Sequence, residues 1–566
     1  MDEPTLHTAL DKIATEHGDV IVDFPADKVA LSLTELSARS RRIAAHLRDL
    51  GIRKGDRVGA LSTNEPDFLL ILFALSRLGA CVCPLPMHSR EGAGRLVGVL
   101  DDAGIKDVVV SSRLAKMMPF IEEALPGRRV LGAAEILAHG GQDGTDEVDG
   151  ADVAAECEIV LQYTSGSTSH PKGVRLTHAN VLATLRAIRD GIRLTPADKN
   201  ANWLPLFHDM GLFGTLTGIL TGVHCTIWRP SAFVKDPAHW LRQFADGGYT
   251  ISPMPNFAYD YLVEAVPADE AASYDLSRWR VAFNGAEPIA VDSLETFFGH
   301  FTPSGFDPRV MLTVYGLAEA TLAVTFPPLG RGPRFDWVDR AALAERGVAV
   351  PVERTAPGAR GLVGVGRPVL GMNLRIGDPH SDSGAALDDR SVGEVQLRGT
   401  SVTAGYVDDA GALTQPFTAD GWLRTGDLGY LADGELHITG RAKEMLILRG
   451  ENYYPDDVES AVRTDEAVHR RRCVAFVHHE PEPEPESGPE HGREQHRERE
   501  FMVLVAETDR PEAEHTALAD HLRTLVRTSL GLHDLRVVLA APDSLPRTTS
   551  GKLQRLAAKR DFAAGR

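Results

Sequence analysis

The chain has 566 residues, too many for a single hydrophobic core, so the sequence predicts two or more packed units. Apolar residues make up 43% and charged residues 25% of the chain, which argues against a disordered or fibrous protein. The formal charge of −19, from 60 basic and 79 acidic residues, has the wrong sign for holding a phosphate backbone, so we expect no nucleic-acid partner.

The N-terminal region gives no sign of membrane insertion. Its first ten residues lack the basic start and apolar block of a signal peptide, and the longest apolar run, 68–75, is less than half a membrane span. The five cysteines show neither metal-ligand spacing nor disulfide density, so we expect a reducing, cytoplasmic location. Cys81 and Cys83 lie in an apolar stretch and are interpreted as small hydrophobic residues of a buried strand.

Short β-branched runs alternate with amphipathic stretches through roughly the first 440 residues. Examples are the runs 107–110 and 158–161 and the amphipathic stretch 181–188. This alternation is typical of parallel sheets covered by helices, so we predict an α/β fold.

The segment 163–173, YTSGSTSHPKG, follows an apolar strand and combines hydroxyl side chains, two glycines and Lys172. Its backbone N–H groups and hydroxyls can wrap anionic oxygens while the lysine supplies positive charge. Pro171 stands where a Walker loop has its second glycine, and the sequence lacks a kinase catalytic loop, which argues against a P-loop ATPase or a kinase. Taken alone, the segment is better explained as a polar surface turn.

Eight segments in a fixed order change that interpretation. They are LQYTSGSTSHPKGVRLTH (161–178), WLPLFHDMGL (203–212), PNFAYD (255–260), NGAEP (284–288), YGLAEATL (315–322), GWLRTGDLGYL (421–431), GRAKEMLILRGENYYPDDVE (440–459) and PRTTSGKLQR (546–555). With them the chain resembles the adenylate-forming superfamily of acyl-CoA synthetases, adenylation domains and luciferases, and within it most closely the fatty acyl-AMP ligases. The resemblance implies a large N-terminal domain of stacked mixed and parallel sheets with covering helices, 1–440, and a small mobile α+β C-terminal domain, 441–566.

The resemblance also implies that ATP and Mg²⁺ are used to convert a carboxylic acid into acyl-AMP with release of pyrophosphate. The hydroxyl loop is similar to the family's clamp on the β- and γ-phosphates; its members are Thr164, Ser165, Gly166, Ser167, Thr168 and Lys172. Ser169 stands where the family commonly has glycine, beside His170, and serine restricts φ. This departure puts the closing motion of the loop in question.

Further nucleotide contacts follow from the resemblance. Gly285, Ala286 and Glu287 match the adenine-binding turn, and Tyr315, followed by Gly316, matches the ring that lies against the purine. Glu319 matches the magnesium-associated carboxylate, a hard oxygen ligand. Asp427 matches the carboxylate that accepts both ribose hydroxyls, with Arg441 in the same site.

His208 matches a catalytic position next to the reacting carboxylate, at the mouth of the acyl pocket. Amino-acid-activating relatives keep an aspartate in this neighbourhood, so histidine favours an acid without an α-amine. Phe213, Met254, Asn256 and Phe257 are expected in the same pocket. Bulk at Met254, at Pro253 before it and at Phe213 narrows a tunnel, which predicts a short, medium or functionalised acid rather than a long plain fatty acid.

The C-terminal segments supply the moving parts. Lys552 matches the family lysine that bridges the acyl carboxylate and the α-phosphate, and is the main catalytic prediction. Lys443 matches the hinge about which the small domain swings towards thiol transfer. The segment 478–500 is poor in apolar residues and rich in charges and prolines, so it is predicted to be a flexible surface loop inserted in the small domain, before strands at 501–506 and 536–539 and a helix at 517–530.

The segment 325–363 is longer than a usual connection and contains the helix-like stretch DWVDRAALAER. Fatty acyl-AMP ligases carry there an insertion thought to hinder the rotation that coenzyme A synthetases need, so we expect transfer to the phosphopantetheine thiol of an acyl carrier protein. An acyl-CoA synthetase is the alternative. A binding relative without chemistry is more remote, because it should lose Lys552, Glu319 or the hydroxyl loop.

Overall fold

The computed structural model describes residues 3–86, 93–139, 146–164, 172–379, 381, 385–407, 413–414, 416–448, 451–463, 465–481, 498–547, 551 and 553–565. Within these ranges no helix is both long and apolar enough to cross a membrane.

The α-helices of the described residues are α1 (Leu6–Glu16), α2 (Leu33–Asp49), α3 (Pro66–Leu78), α4 (Ala93–Asp102), α5 (Met118–Ala124), α6 (Ala133–His139), α7 (His178–Gly191), α8 (Asp209–Ile219), α9 (Pro230–Lys235), α10 (Pro237–Asp246), α11 (Asn256–Ala265), α12 (Ala268–Ala271), α13 (Val291–Phe301), α14 (Arg340–Arg346), α15 (Pro455–Arg463), α16 (His515–Leu530) and α17 (Arg555–Ala563).

The strands are β1 (Ile21–Phe24), β2 (Val29–Ser32), β3 (Arg57–Leu61), β4 (Cys81–Leu85), β5 (Asp107–Val110), β6 (Arg129–Gly132), β7 (Glu158–Tyr163), β8 (Gly173–Thr177), β9 (Lys199–Asn202), β10 (His224–Ile227), β11 (Ile251–Met254), β12 (Val281–Asn284), β13 (Met311–Thr313), β14 (Tyr315–Gly316), β15 (Ala323–Phe326), β16 (Phe335–Asp339), β17 (Ala359–Val363), β18 (Arg367–Pro368), β19 (Met372–Gly377), β20 (Gly393–Gly399), β21 (Tyr406–Val407), β22 (Leu413–Thr414), β23 (Leu423–Ala432), β24 (Glu435–Arg441), β25 (Leu446–Leu448), β26 (Glu451–Tyr453), β27 (Cys473–Pro481), β28 (Glu498–Glu507) and β29 (Leu535–Ala540).

Two large sheets organise the first 440 residues. One has the order β13-β12-β11-β9-β10-β1-β2 and the other β22-β21-β8-β7-β4-β3-β5-β6. The first is parallel apart from the β1–β2 pair, and the second is parallel from β6 to β7 and antiparallel from β7 to β22. Parallel neighbours need crossover connections, which the covering helices supply. The predicted α/β fold of stacked mixed and parallel sheets is confirmed.

Helix α3 shows how the sequence places a helix between these sheets. Its sequence, PDFLLILFALSRL, is mostly apolar, and every residue from Asp67 to Arg77 is buried. Gly79 ends the helix at a φ of +67°, which glycine adopts without strain. A helix that is apolar on all sides must be covered on all sides, and α3 shares a hydrophobic cluster with Val22 of one sheet and Val58 of the other.

The chain after residue 440 has hydrophobic clusters of its own. Strands β27, β28 and β29 form a three-stranded sheet whose alternate residues face opposite sides. One cluster contains Cys473 and Leu504, and the cluster on the other face contains Val474 and Val503. The domain boundary near Arg441 stays a prediction.

Two sequence predictions about local structure were partly wrong. The segment 478–500 begins and ends in strand, because 478–481 pairs with 498–501 at the open end of the β27–β28 hairpin; residues 482–497 lie outside the described residues. In DWVDRAALAER the first four residues belong to β16, which pairs with β17, and the helix begins at Arg340. Both strands form because backbone pairing with a partner distant in sequence outweighs the local pattern.

Candidate active site

The carboxyl ends of three parallel strands meet at one edge of the seven-stranded sheet. Met254 at the end of β11 pairs with Asn284 at the end of β12, which pairs with Thr313 at the end of β13. The Val314 N–H donates to the Asn284 carbonyl oxygen at 2.8 Å, so the chains stay together beyond the strands. In α/β sheets this edge is where ligands bind.

The turn Gly285–Ala286–Glu287, predicted to bind adenine, leaves this edge. A Cβ on Gly285 would lie 2.7 Å from Cγ2 of Val314, so the close approach of the two chains requires glycine. Ala286 has a φ of +69°, an unfavourable conformation for alanine that is typical of functional turns. Oε1 of Glu287 accepts the Phe257 N–H at 2.6 Å, which ties the turn to the start of α11.

Tyr315, Asp427 and Arg441 lie together although they come from distant segments. The Tyr315 hydroxyl donates to Oδ2 of Asp427 at 2.6 Å, and Nε of Arg441 lies 2.9 Å from Oδ1 of the same carboxylate. Asp427 and Arg441 are directly opposite each other in the β23–β24 hairpin. The hairpin closes at Asp433 and Gly434, with φ of +53° and +73°, the Asp-Gly signature of a tight turn.

The electrostatics of this group follow from burial and from the one carboxylate. Burial, together with the neighbouring Asp427 charge, raises the pKa of Tyr315, so its hydroxyl stays a donor. The Asp427 carboxylate raises the pKa of Arg441. Asp427 itself is buried and also holds the Thr425 hydroxyl through its own N–H at 3.1 Å.

Glu319 sits on a short helical turn that follows Tyr315 and Gly316. A Cβ on Gly316 would lie 2.0 Å from the Leu322 carbonyl oxygen, so this crossing also needs glycine. Thr321 ends the turn with a φ of +66° and donates to the Ser401 carbonyl oxygen at 2.7 Å. Strain held in place by such a bond is a feature of functional sites.

Tyr406 connects Glu319 to Lys172. Its hydroxyl donates to Oε1 of Glu319 at 2.7 Å, and Nζ of Lys172 lies 4.6 Å from the centre of its ring, within cation–π range. Strand β21, which carries Tyr406, pairs with β8 next to Lys172. Tyr406 therefore contacts both the lysine of the hydroxyl loop and the predicted magnesium carboxylate.

The surroundings of Glu319 fit a divalent cation. Burial raises the pKa of Glu319, with a smaller contribution from the Asp427 charge, so the anionic form is disfavoured without a counter-charge. A hard cation beside phosphate oxygens supplies such a charge, and a single carboxylate is what Mg²⁺ commonly takes from a protein.

The hydroxyl loop begins and ends in β7 and β8. The Thr164 N–H donates to the Lys172 carbonyl oxygen at 3.2 Å, directly after the Tyr163–Gly173 pair. Ser165, Gly166, Ser167 and Thr168 lie outside the described residues. The ends of the loop are thus fixed at the carboxyl end of β7, the strand edge where the ligand is expected.

His208 is the residue directly before α8. Its Nδ1 lies 2.7 Å from Oδ1 of Asp209, and its ring is largely shielded from solvent. The preceding Phe207 carbonyl oxygen accepts from Nε2 of Gln162 at 2.9 Å, which ties this segment to β7 near the hydroxyl loop. His208 therefore follows a residue that is bound to the end of β7, although the two segments are more than forty residues apart in the sequence.

The residues predicted for the acyl pocket fall in two hydrophobic clusters. Met254 is wholly buried and shares a cluster with Phe257. Asn256 is also buried and donates to the Ser293 hydroxyl at 3.1 Å. Phe213 lies in the other cluster, between the two sheets.

The C-terminal candidates are placed only in part. Lys552 lies outside the described residues, but its neighbour Gly551 is described, and a Cβ there would lie 3.3 Å from Cζ of Phe257. Gly551 has a φ of +91°, which favours glycine. Lys443 is exposed, two residues after Arg441.

Sequence reasoning missed Tyr406, Thr425 and Glu394. Thr425 and Glu394 hold the turn before Asp427, since Oε1 of Glu394 accepts the Gly426 N–H at 3.1 Å. Thr425 could have been found, because it belongs to the TGD segment. Tyr406 and Glu394 carry no sequence signal, because their partners lie far away in the chain.

Comparisons with known proteins show the family and the fold of the chain. Residues 10–407 match the family model described as AMP-binding enzyme. A chain from structural and functional studies of fatty acyl-adenylate ligases from E. coli and L. pneumophila superposes with a TM-score of 0.87 at 31% identity, covering 100% of this chain and 98% of that one.

Three curated relatives are similar over nearly their whole length. A putative acyl-CoA synthetase from Caulobacter vibrioides is 32% identical over 100% of this chain and 96% of its own. The long-chain-fatty-acid–AMP ligase FadD32 from Mycolicibacterium smegmatis is 32% identical over 98% and 92%. The medium-chain-fatty-acid–[acyl-carrier-protein] ligase JamA from Moorena producens is 30% identical over 95% and 90%.

Proposed function

Because this chain belongs to the AMP-binding enzyme family and is similar to fatty acyl-AMP ligases, we propose that it uses ATP to convert a fatty-type carboxylic acid into acyl-AMP, with release of pyrophosphate. One observation carries the proposal. The Tyr315–Asp427–Arg441 group and the Lys172–Tyr406–Glu319 group converge close enough for the charges of Asp427 and Arg441 to affect the pKa of Glu319. Binding of an adenine nucleotide needs an aromatic ring for the purine, a hydrogen-bond acceptor for the ribose hydroxyls and positive charge for the phosphates.

In this proposal the residues act by position and charge. Asp427, oriented by Tyr315, accepts the ribose hydroxyls, and the turn at Gly285 borders the adenine. Lys172 and the hydroxyl loop bind the β- and γ-phosphates. Glu319 holds Mg²⁺, which when bound neutralises charge on the phosphate oxygens. Attack of a carboxylate on the α-phosphorus needs little else than such positioning and charge stabilisation.

Lys552 is proposed to bridge the acyl carboxylate and the α-phosphate. The contact of Gly551 with Phe257 supports this role, because it brings the chain next to residue 552 to the start of α11 and the expected acyl pocket. His208, directly before α8, is proposed to contact the reacting carboxylate.

An acyl carrier protein is the proposed acceptor of the acyl group. JamA, named as an acyl-carrier-protein ligase, is one support. The insertion 325–363 is a second, because Arg360 in it lies 2.6 Å from the Asp457 carboxylate and Arg340 donates to the Ser529 carbonyl oxygen at 2.7 Å. Both partners follow the proposed hinge at Lys443, and removing one partner of a buried pair typically costs about 3–5 kcal/mol. These contacts oppose the rotation that transfer to coenzyme A requires.

A screen of carboxylic acids for pyrophosphate release tests the first step, with AMP as the expected second product. ADP would instead indicate a kinase, and no turnover with any acid would indicate a binding protein. Lys552→Ala should lower acid-dependent AMP formation by about a hundredfold or more. Lys559→Ala, seven residues later on α17, is the matched control and should leave it unchanged.

The acceptor is tested with the best acid from that screen. The protein is offered holo acyl carrier protein or coenzyme A, and the thioester is identified by mass spectrometry. We expect the carrier thioester to dominate. Predominant acyl-CoA would instead support the activity named for the Caulobacter relative, an acyl-CoA synthetase.

A further inference from the structure

Helix α11 presents one face to the chain that follows residue 440. Phe257, Asp260, Tyr261 and Glu264 have the spacing of one helix face, which we call the docking face. Gly551 approaches Phe257, and Arg471 donates to Oδ1 of Asp260 at 2.8 Å.

Two more arginines complete the contact. Arg472 donates to the Tyr261 hydroxyl, and the Arg470 guanidinium lies 5.3 Å from the centre of the Tyr261 ring. Arg470 also lies 4.0 Å from Oε1 of Glu264. Three consecutive arginines therefore contact the docking face at Asp260, Tyr261 and Glu264.

The backbone of the arginine segment is strained. Arg470 and Arg471 have φ of +49° and +56°, the left-handed region that side chains with a Cβ disfavour. Such a conformation in two consecutive residues persists only where surrounding contacts hold it. The contacts of these side chains with α11 can hold this conformation in place.

A chain of buried hydrogen bonds leads from the docking face to the candidate active site. The Ser293 hydroxyl donates to Oδ2 of Asp260 at 3.0 Å, and Nδ2 of Asn256 donates to the Ser293 oxygen at 3.1 Å. Nδ2 of Asn284 donates to Oδ1 of Asn256 at 3.2 Å, and Asn284 directly precedes Gly285. Hydrogen bonds in a buried chain are stronger than in water and sensitive to the loss of one member.

Arg471 offsets part of the effect of burial on Asp260. Its side chain is only 15% exposed, and burial raises its pKa while Arg471 acts in the opposite direction. Departure of the arginine would leave a shielded carboxylate without its cation, which is unfavourable.

We propose that Asp260 and Arg471 are positioning residues for acid activation: their ion pair docks the C-terminal part of the chain on α11 and holds Gly551, the residue before Lys552, at Phe257. The inference rests on the proposed function, because it assigns the docked arrangement to the first step. Neither residue is assigned a contact with the nucleotide; each acts through the segment that carries Lys552 and through Asn256.

The test uses full-length protein in acid-dependent exchange of pyrophosphate into ATP. Arg471→Met should lower kcat about tenfold or more, because misplacement of a catalytic group by about an ångström has effects of that size, with the KM for ATP unchanged. Arg471→Lys, which keeps the charge, should recover most of the rate. The matched control is Arg523→Met, since Arg523 pairs with Asp520 on its own helix. A kcat for Arg471→Met equal to that of the control, or no recovery with lysine, overturns the inference.

The pair itself is tested by combining variants. Asp260→Asn should lower kcat like Arg471→Met, and the double variant should be no worse than either single one. Additive losses would show that the two residues act separately and would overturn the inference.

Hydrogen exchange separates this inference from the proposed function. Amides of 257–265 and 469–472 should exchange faster in Arg471→Met than in Arg523→Met, whether or not any acid supports turnover. If the wild type releases no pyrophosphate with any acid, the proposed function fails while this comparison still reports on docking. Equal exchange in the two variants overturns the docking inference.

Discussion

The hydroxyl of Tyr315 donates a 2.6 Å hydrogen bond to the carboxylate of Asp427, 112 residues further along the chain. The same carboxylate faces Arg441, so its two oxygens have different protein partners. The tyrosine thus has two separate functions in the proposed site, a ring for the purine and a hydroxyl that orients the ribose acceptor.

Tyr315→Phe separates these functions, because it keeps the ring and removes the hydroxyl. We expect kcat/KM for ATP to fall about tenfold, mostly through KM, since a hydrogen bond to a charged group contributes roughly 1.5–3 kcal/mol. Steady-state pyrophosphate release at varied ATP measures this. Tyr249→Phe is the control, because it removes a hydroxyl that donates to Thr226 at 2.7 Å. Equal KM values in the two variants would contradict the assignment.

Glu319→Gln tests the magnesium site without removing the acceptor for Tyr406. The amide oxygen can still accept the Tyr406 hydroxyl, so we expect the fold to persist, while the loss of charge weakens Mg²⁺ binding. The variant should need more Mg²⁺ for half-maximal rate, and kcat/KM should fall on the order of a hundredfold. A Mg²⁺ titration of initial rates that matches the wild type would show that Glu319 does not hold the ion.

His178 makes stability depend on pH. Burial lowers its pKa from 6.5 to about 3, and it accepts the Leu6 N–H at 3.2 Å in its neutral form. Between these pH values the unfolded chain binds a proton at His178 that the folded chain does not bind. The contribution of His178 to the free energy of unfolding is therefore fully present above pH 6.5 and falls as the pH is lowered. The slope for one such group is about 1.4 kcal/mol per pH unit.

His178→Gln should flatten the pH dependence of the free energy of unfolding below pH 6.5, because glutamine can accept the same N–H without titrating. His7, whose pKa burial lowers to about 4, should account for part of the remaining slope. Urea denaturation at several pH values measures the slope. A slope for His178→Gln equal to that of the wild type would contradict the prediction.

The sequence could predict the sheets, the order of the motifs and the residues that share a motif, because these depend on local pattern. It could not predict Tyr406 as the partner of Glu319, since neither spacing nor residue type links them. The ends of 478–500 were misassigned for a related reason. Their composition is poor in apolar residues, while the backbone continues the ladder of the β27–β28 hairpin. The arginines at 470–472 gave no signal either, because their partners on α11 lie more than two hundred residues away in the sequence.

Met254→Ala tests the predicted limit on acid length. Met254 is wholly buried at the carboxyl end of β11, in one cluster with Phe257, so shortening it opens space on the side of the expected acyl pocket. The wild type should prefer an eight-carbon over a sixteen-carbon acid in pyrophosphate exchange. In the variant the ratio of kcat/KM for the longer acid to that for the shorter acid should rise about tenfold, since a few methylenes in an apolar pocket have effects of that size.

Met311→Ala is the control, because Met311 is equally buried in the same cluster but begins β13, at the amino edge of the sheet. Both variants should lose about 2–5 kcal/mol of stability, so only the change in preference distinguishes them. A wild-type preference for the longer acid would refute the limit on length, and equal ratios in the two variants would remove Met254 from the pocket.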